Sequence, residues 1–334
     1  MRKLMIYGAT GYTGRMAAEQ AHAAGLPLVL GGRSQASLVQ LGESLSTACR
    51  VFDLSDPDAI DEALADVSTV LNCAGPYMDT AEPLMRAALR SGVHYLDIAA
   101  ELDSYRLAEK LDEDAKAAGV MLLPGSGGSV AMLGCLAGHA AARVEMPRKV
   151  AVALHVAGSM SRGSAISASR NLVTEALTLH EGRLTPRPAG EMALFDFGNG
   201  DVSCFAVTLP DIITIGRSTG IPDVETYVHV SGSAFPEGDL TTLPDGPDAS
   251  ERAANRYQAA VAVTAADGTI ARSVLDTVNG YSFTPMAAAE AARRVLAGEV
   301  RAGFQTPAGL FGSGFVKTIA DTRITDLPIT PRGG

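Results

Sequence analysis

Short apolar runs alternate with helix-forming stretches along the first 146 residues. Runs at Leu4 to Tyr7, Leu26 to Ser34, Arg50 to Asp56, Ser68 to Tyr77, Gly92 to Glu101 and Gly119 to Gly128 have the length and character of buried strands. Ala-rich or amphipathic sequence separates them, first from Arg15 onward and later over Glu82 to Ser91 and Ser104 to Ala118. Strands that alternate with helices in this way predict a doubly wound α/β sheet with parallel strands.

Beyond Pro147 the rhythm changes. Arg148 to Gly158 reads as a strand and Ser159 to Gly182 as a polar turn followed by a helix. Strand-like pieces then run from Glu191 to Leu209, turning at Gly198 to Asp201, and from Val224 to Gly232. Arg256 to Val278 reads as a hairpin with Asp267-Gly268 at its tip. Several antiparallel strands with one or two helices predict an α+β domain. The Pro-, Gly- and acid-bearing stretch from Ala234 to Ser250 reads as a loop. A helix is expected from Pro285, and Ala302 to Val316 is expected to pack back on the first domain. The chain thus divides into residues 1–146, 147–284 and 285–334.

The first strand leads straight into Gly8-Ala9-Thr10-Gly11-Tyr12-Thr13-Gly14, and a helical pattern follows. In a strand, glycine turn and helix of this order, one glycine permits a sharp turn, one lets backbone N–H groups approach a pyrophosphate, and one lets helix and strand pack closely. The phosphates sit at the helix N-terminus, where unpaired N–H groups and the macrodipole favour negative charge. The spacing here is G-x-x-G-x-x-G. It marks the first domain as a Rossmann-type dinucleotide-binding unit, with Gly8, Thr10, Gly11, Tyr12, Thr13 and Gly14 around the pyrophosphate.

The end of the second strand selects the cofactor. An acidic residue there holds a ribose 2′-OH, whereas an arginine suits a 2′-phosphate. No acid lies between Glu19 and Glu43, and the one basic residue between Arg15 and Arg50 is Arg33. NADP(H) is therefore expected, with Arg33 and Ser34 on the 2′-phosphate. Asp53 and the Leu54 backbone, at the end of the third strand, would edge the adenine. The fourth strand breaks at Gly75-Pro76, so the nicotinamide is expected along Cys73, Ala74, Gly75, Pro76 and Tyr77. His94, Tyr95, Asp97 and Glu101 stand at the carboxyl end of the fifth strand, facing the crevice in which open α/β sheets bind ligands, and are candidates for proton transfer or substrate contact. One of Tyr95, Asp97 and Glu101, with Tyr77 bordering the nicotinamide, would orient substrate or relay a proton. A helix N-cap or a surface carboxylate would give the same pattern.

Composition narrows the partners. The chain has 334 residues, 47% apolar and 19% charged, with a net charge of −10. That charge argues against nucleic acid or an anionic membrane as the main partner. The apolar run after Lys3 ends at Gly8, too short for a secretory signal. Val130 to Ala142 is interrupted by Gly134, Gly138 and His139 and is not expected to span a bilayer. A cytoplasmic protein is expected. Cys49, Cys73, Cys135 and Cys204 form no C-x-x-C pair, and the histidines show no ligand spacing, so neither a disulfide framework nor a metal site is expected.

In combination, "GATGYTG", "GGRS", "NCAGPY", "HYLDIAAE", "SRGSAIS" and "LAGEVRAGFQTPAGLFG" resemble the saccharopine dehydrogenase-like oxidoreductases, including the saccharopine reductase and trans-acting enoyl reductase branches. The resemblance implies an NADP-binding Rossmann domain, a second α+β domain inserted before a C-terminal return, and often a homodimer. One departure is visible. The enoyl reductase branch places a Phe-Asp pair after the Pro-Gly that ends the sixth strand, whereas Pro124-Gly125 is followed here by Ser126-Gly127-Gly128-Ser129. No catalytic residue is carried over from that point. Saccharopine-type substrates would need converging arginines, for which Ser161, Arg162 and Arg170 at the Ser-rich helix start are the candidates. Capping and solvating that helix would account for them equally.

These features point to an NADP(H)-dependent reductase acting on a small C=N, C=O or activated C=C group. A short-chain dehydrogenase would need Tyr-x-x-x-Lys, and Tyr105 and Lys110 stand one residue too far apart. The alternative from another class is a regulator that binds NADP(H) without turnover. The size of the second domain favours a substrate cover, because pockets form at domain interfaces.

Overall fold

The computed structural model describes residues 2–170, 176–188, 190–232 and 239–331; the side chains of Ala168, Arg170 and Thr241 lie outside the described residues. The first half runs β1 (Leu4–Tyr7), α1 (Tyr12–Ala23), β2 (Leu28–Gly32), α2 (Gln35–Leu45), β3 (Ala48–Val51), α3 (Pro57–Leu64), β4 (Thr69–Asn72), α4 (Tyr77–Ser91), β5 (His94–Asp97), α5 (Leu102–Lys110), α6 (Asp112–Ala117), β6 (Met121–Leu123) and α7 (Gly128–Ala141). The second continues with β7 (Pro147–Ala157), α8 (Arg162–Arg170), β8 (Ala176–His180), β9 (Arg183–Arg187), β10 (Met192–Asp196), β11 (Asp201–Ala206), α9 (Asp211–Thr219), β12 (Asp223–Ser231), α10 (Ala249–Ala254), β13 (Tyr257–Ala265) and β14 (Ile270–Thr277). α11 (Gly280–Leu296), β15 (Gly303–Phe304), α12 (Pro307–Phe311) and β16 (Arg323–Asp326) complete it.

The expected doubly wound sheet is present. Its seven strands follow the order β15-β6-β5-β4-β1-β2-β3, and every pairing is parallel. Right-handed crossovers place α1 and α2 on one face and α3, α4 and α5 on the other. The order reverses direction between β1 and β4, the point at which α/β sheets open a ligand crevice. β1, β4 and β6 are buried at every position, as strands covered on both faces must be.

A second, nine-stranded sheet carries β10-β11-β12-β7-β13-β14-β16, with β8 pairing β12 and β9. Between the sheets lies α7. It is apolar all round, with Val130, Met132, Leu133, Cys135 and Leu136 fully buried, which is the signature of a helix enclosed by protein. One hydrophobic core runs through it from Leu4 and Val70 to Val152, Val261 and Leu275.

Several expected elements differ in detail. Leu177 and Leu179 alternate with Thr178 and His180, a period of two, so the segment read as the end of a helix forms β8 instead. β3 ends at Val51, two residues short of Asp53. The helix expected from Pro285 begins at Gly280, because Asn279 accepts the Tyr281 N–H at 3.0 Å and caps it there. α9, bounded by Pro210 and by Gly220 at φ +71°, was not anticipated. Part of the loop read at Ala234 to Ser250 lies outside the described residues. Of the C-terminal segment, β15 pairs with β6 in the first sheet and β16 with β14 in the second.

Candidate dinucleotide crevice and its surroundings

Backbone geometry leaves the glycine turn little choice of residue. Gly8 has φ +77°, and a Cβ on it would lie 2.7 Å from the Ala74 nitrogen across the β1–β4 switch point. A Cβ on Gly14 would overlap the Gly8 carbonyl oxygen, so only glycine lets α1 pack this closely on the end of β1. Gly11 donates its N–H to Gly8 O at 3.1 Å and then serves as the N-cap of α1. No side chain caps that helix, and its first turn holds no acid. Thr10, Tyr12 and Thr13 surround this positive end, half-buried. A glycine turn closed this tightly, at a helix N-terminus that no side chain caps among the described residues, fits a pyrophosphate.

Arg33 stands exposed just past β2. It forms no hydrogen bond or ion pair with any described residue, although its charge acts on Asp53 and on Tyr7, whose phenol burial pushes up to about 12. Ser34 is the N-cap of α2, its hydroxyl 3.0 Å from that of Ser37, and no acid occupies the first turn of that helix either. Asp53 accepts the Ser55 N–H at 2.9 Å, and its hydrogen bonds to Ser55 hold its carboxyl below the usual range. Its carboxylate thus shapes the turn after β3, with Leu54 half-buried beside it.

At the other side of the switch point, Asn72 is completely buried and organises the 73–76 loop. Its Oδ1 accepts the Ala74 N–H at 3.0 Å, while its Nδ2 donates to Thr80 Oγ1 at 3.1 Å and to the Tyr95 hydroxyl at 3.2 Å. Thr80 in turn donates to Ala74 O at 2.6 Å. Neither Asn72 nor Thr80 was singled out in the sequence. The available signal was an amide closing the otherwise apolar "TVL" strand.

Tyr77, Asp97 and Glu101 form one electrostatic cluster with Cys73. Tyr95 and Asp97 sit in the hydrogen-bond network beneath the 73–76 loop. Tyr95 is completely buried and donates to Asp97 Oδ2 at 2.9 Å. Asp97 Oδ1 accepts the N–H groups of Ala99 at 3.0 Å and Gly125 at 2.7 Å, which ties the end of β5 to the end of β6. Burial raises the Asp97 carboxyl to about 6 against these hydrogen bonds. Burial also raises the Cys73 thiol, which argues against an activated thiolate. Tyr77, the first residue of α4, is buried and its phenol is pushed well above the ordinary value, yet its hydroxyl meets no described hydrogen-bond partner.

Glu101 joins the two halves of the molecule. Its Oε2 accepts the Met78 N–H at 3.0 Å and its Oε1 the Ser167 hydroxyl of α8 at 2.7 Å. At the opposite end of α8, Ser161 is buried; its oxygen accepts the Ser164 N–H at 3.2 Å, and its own N–H reaches the Tyr281 hydroxyl at 2.8 Å. The Tyr281 ring meets Tyr12 edge-on, with centroids 5.7 Å apart. The Ser-rich helix therefore lies across the crevice from the glycine turn to Glu101. Arg162 is engaged elsewhere, pairing with the Asp245 carboxylate and donating to Leu243 O at 3.1 Å. The Arg170 side chain lies outside the described residues. Truncating Glu101 to alanine removes the acceptor for a part-buried backbone N–H and a cross-domain contact, and should cost about 2 kcal/mol in urea unfolding. An unchanged midpoint would show that the two halves do not depend on this carboxylate.

Residues 4–123, which contain this turn and both strand ends, match the family model described as Saccharopine dehydrogenase NADP binding domain. This segment is similar to that domain family. Over 144 residues the chain is 32% identical to the mouse saccharopine dehydrogenase-like oxidoreductase, covering 37% of this chain and 34% of that protein. It is 27% identical over 138 residues to the lipid droplet localized protein of Caenorhabditis elegans, covering 37% of this chain and 32% of that one. The chain thus spans about a third of the length of the curated relatives it matches. The apo saccharopine dehydrogenase (L-Glu forming) of Saccharomyces cerevisiae shares the fold, with a TM-score of 0.66 and 13% identity, covering 98% of this chain and 100% of that one. Among the described residues no helix is long and apolar enough to cross a membrane, and no group of His, Cys, Asp and Glu residues is placed to hold a metal ion.

Proposed function

We propose that this protein is an NADP(H)-dependent oxidoreductase that reduces a small C=N, C=O or activated C=C substrate. Arg33 carries the reading: the end of β2, where a bound dinucleotide's ribose is recognised, presents a guanidinium with no partner among the described residues. Gly8, Gly11 and Gly14 shape the pyrophosphate cradle, and the first N–H groups of α1 with Thr10, Tyr12 and Thr13 face it. Arg33 and Ser34 meet the 2′-phosphate, Asp53 and Leu54 border the adenine, and Cys73, Ala74, Gly75 and Pro76 border the nicotinamide.

The dinucleotide supplies the hydride when bound. This chain supplies orientation, a dry site and a proton. Among the four candidates at the nicotinamide end, Tyr77 has a hydroxyl with no hydrogen-bond partner among the described residues, and burial keeps that phenol protonated at neutral pH. It is the group we assign to deliver a proton to the substrate atom that gains charge. Glu101 holds the start of α4 and fastens α8 over the site. Tyr95 and Asp97 act through the 73–76 loop as positioning residues. Ser161 shapes the cover, and Arg162 secures the segment that carries Asp245.

Calorimetric titration with NADPH and NADH tests the assignment. The wild-type chain should favour NADPH by ten- to hundredfold, on the order of 1.5–3 kcal/mol, and Arg33→Ala should erase most of that preference. Failure to bind either nucleotide would end the oxidoreductase reading. Binding without oxidation of NADPH in the presence of imine, carbonyl and enoyl substrates would favour a regulator.

A further inference from the structure

Outside the crevice, two guanidinium groups line one cavity. Arg217 in α9 and Arg301 just ahead of β15 border an open cavity of about 380 Å³ with Ser218, Phe304, Gln305 and Thr306. None of these residues belongs to the crevice. Each guanidinium is fixed along one edge. Arg217 stacks on the Phe304 ring at 4.5 Å from its centroid, donates Nε to Phe304 O at 3.0 Å, and pairs with Asp112 at 2.9 Å. Arg301 donates Nε to Gln305 Oε1 at 2.6 Å and Nη2 to Gly309 O at 3.2 Å, while Gln305 is itself anchored on Ala302 O at 3.0 Å. The Nη1 group of each arginine meets no described partner, and Arg301 has no carboxylate at ion-pair distance among the described residues.

Carboxylates answer the other cations of this corner. Asp112 pairs with Arg217 and accepts the Phe304 N–H at 2.6 Å, Glu109 also acts on Arg217, and Lys116 lies 2.7 Å from Glu113 and 3.2 Å from Asp112. Arg301 therefore brings an uncompensated positive charge to a cavity that already holds a second guanidinium, in a chain whose net charge is −10. Planar donors held in place, with one edge satisfied and the other free, suit the bidentate recognition of an oxyanion. We propose that this cavity binds a phosphate group, as inorganic phosphate or as the phosphomonoester of a small metabolite. Occupancy would join α9 of the second domain to β15 of the first sheet, and to α6 through Asp112.

Calorimetric titration of the full chain with inorganic phosphate in chloride buffer tests this site. Wild type and Lys317→Gln should bind alike, because that exposed cation lies outside the cavity. Arg301→Gln should weaken binding about tenfold or more. Ser218→Glu, which places a carboxylate in the cavity and alters neither arginine, should remove it. Thermal unfolding reports whether each variant is folded, and Ser218→Glu decides if Arg301→Gln is not. Glycerol 3-phosphate in the same titration separates the sources: tighter binding than phosphate points to a metabolite, weaker binding to the free ion. No saturable binding at millimolar concentrations of either probe, or equal affinity in wild type and Ser218→Glu, overturns the proposal.

Discussion

Replacing Gly14 by alanine should abolish dinucleotide binding and destabilise the protein by about 3 kcal/mol. The added Cβ would overlap the Gly8 carbonyl oxygen and lie 3.0 Å from the Gly8 carbonyl carbon and 3.2 Å from the Ala9 Cα. All three are backbone atoms, so no rotamer change relieves the clash. Instead α1 must move off β1, yet it is seated by Ala17, Ala18 and Ala21, all completely buried. Movement of its N-terminus also carries away the N–H groups proposed to face the pyrophosphate, and NADPH affinity should fall at least about a hundredfold. Gly25→Ala is the control. Its φ is +70° with nothing within 4 Å of the added carbon, so it should cost about 1 kcal/mol of backbone strain and leave binding intact. Urea unfolding and NADPH titration of both variants decide the matter. Wild-type affinity in Gly14→Ala would mean that the cradle is scaffold only.

That turn was legible because everything it needs is local: an apolar strand, three glycines and a helix within twenty residues. Arg33 was legible for a similar reason, being a lone cation at a strand end with no acid nearby in sequence. The orientation of Tyr95 and Asp97 was not. In a strand covered on both faces, period-two polarity no longer distinguishes the crevice from the interior, and both side chains turn into the network under the 73–76 loop. Arg162 likewise carries a legible charge, but its partner Asp245 is 83 residues away, as Ser167 is 66 residues from Glu101. Long-range pairings of this kind decide which charges are left for a ligand, and a single sequence records the charges without the pairings. The functional reading of Tyr77 therefore comes from what its neighbours already hold and not from its position in "NCAGPY".

A second buried acid yields the opposite sign of effect. Asp211→Asn should stabilise the protein at pH 8, on the order of 3 kcal/mol, and by much less at pH 5. Asp211 opens α9 completely buried, and neither carboxylate oxygen has a hydrogen-bond partner among the described residues; its own backbone N–H opposes the effect of burial without reaching bonding geometry. Thr214 Oγ1 and Ser104 Oγ are also buried without partners among the described residues. Burial raises the carboxyl to about 7. An acid whose folded-state pKa lies above the unfolded one takes up a proton on folding, so its ionised form opposes the fold. That penalty is absent below about pH 4, grows as pH rises, and is complete above about 7. The amide carries no such penalty at any pH, so the difference between variant and wild type in urea unfolding should widen from pH 5 to pH 8. An equal gain at both values would remove ionisation as the cause, and a loss at pH 8 would reveal a partner for the carboxylate. Asp97→Asn provides the contrast: that carboxyl is also raised, to about 6, but it accepts from Ala99, Gly125 and Tyr95. An amide there cannot accept all three donors, so the same substitution should destabilise throughout this range. Two buried carboxyls with upward-shifted pKa values are thus separated by their hydrogen-bond partners, and the sign of each substitution shows which of them the fold depends on.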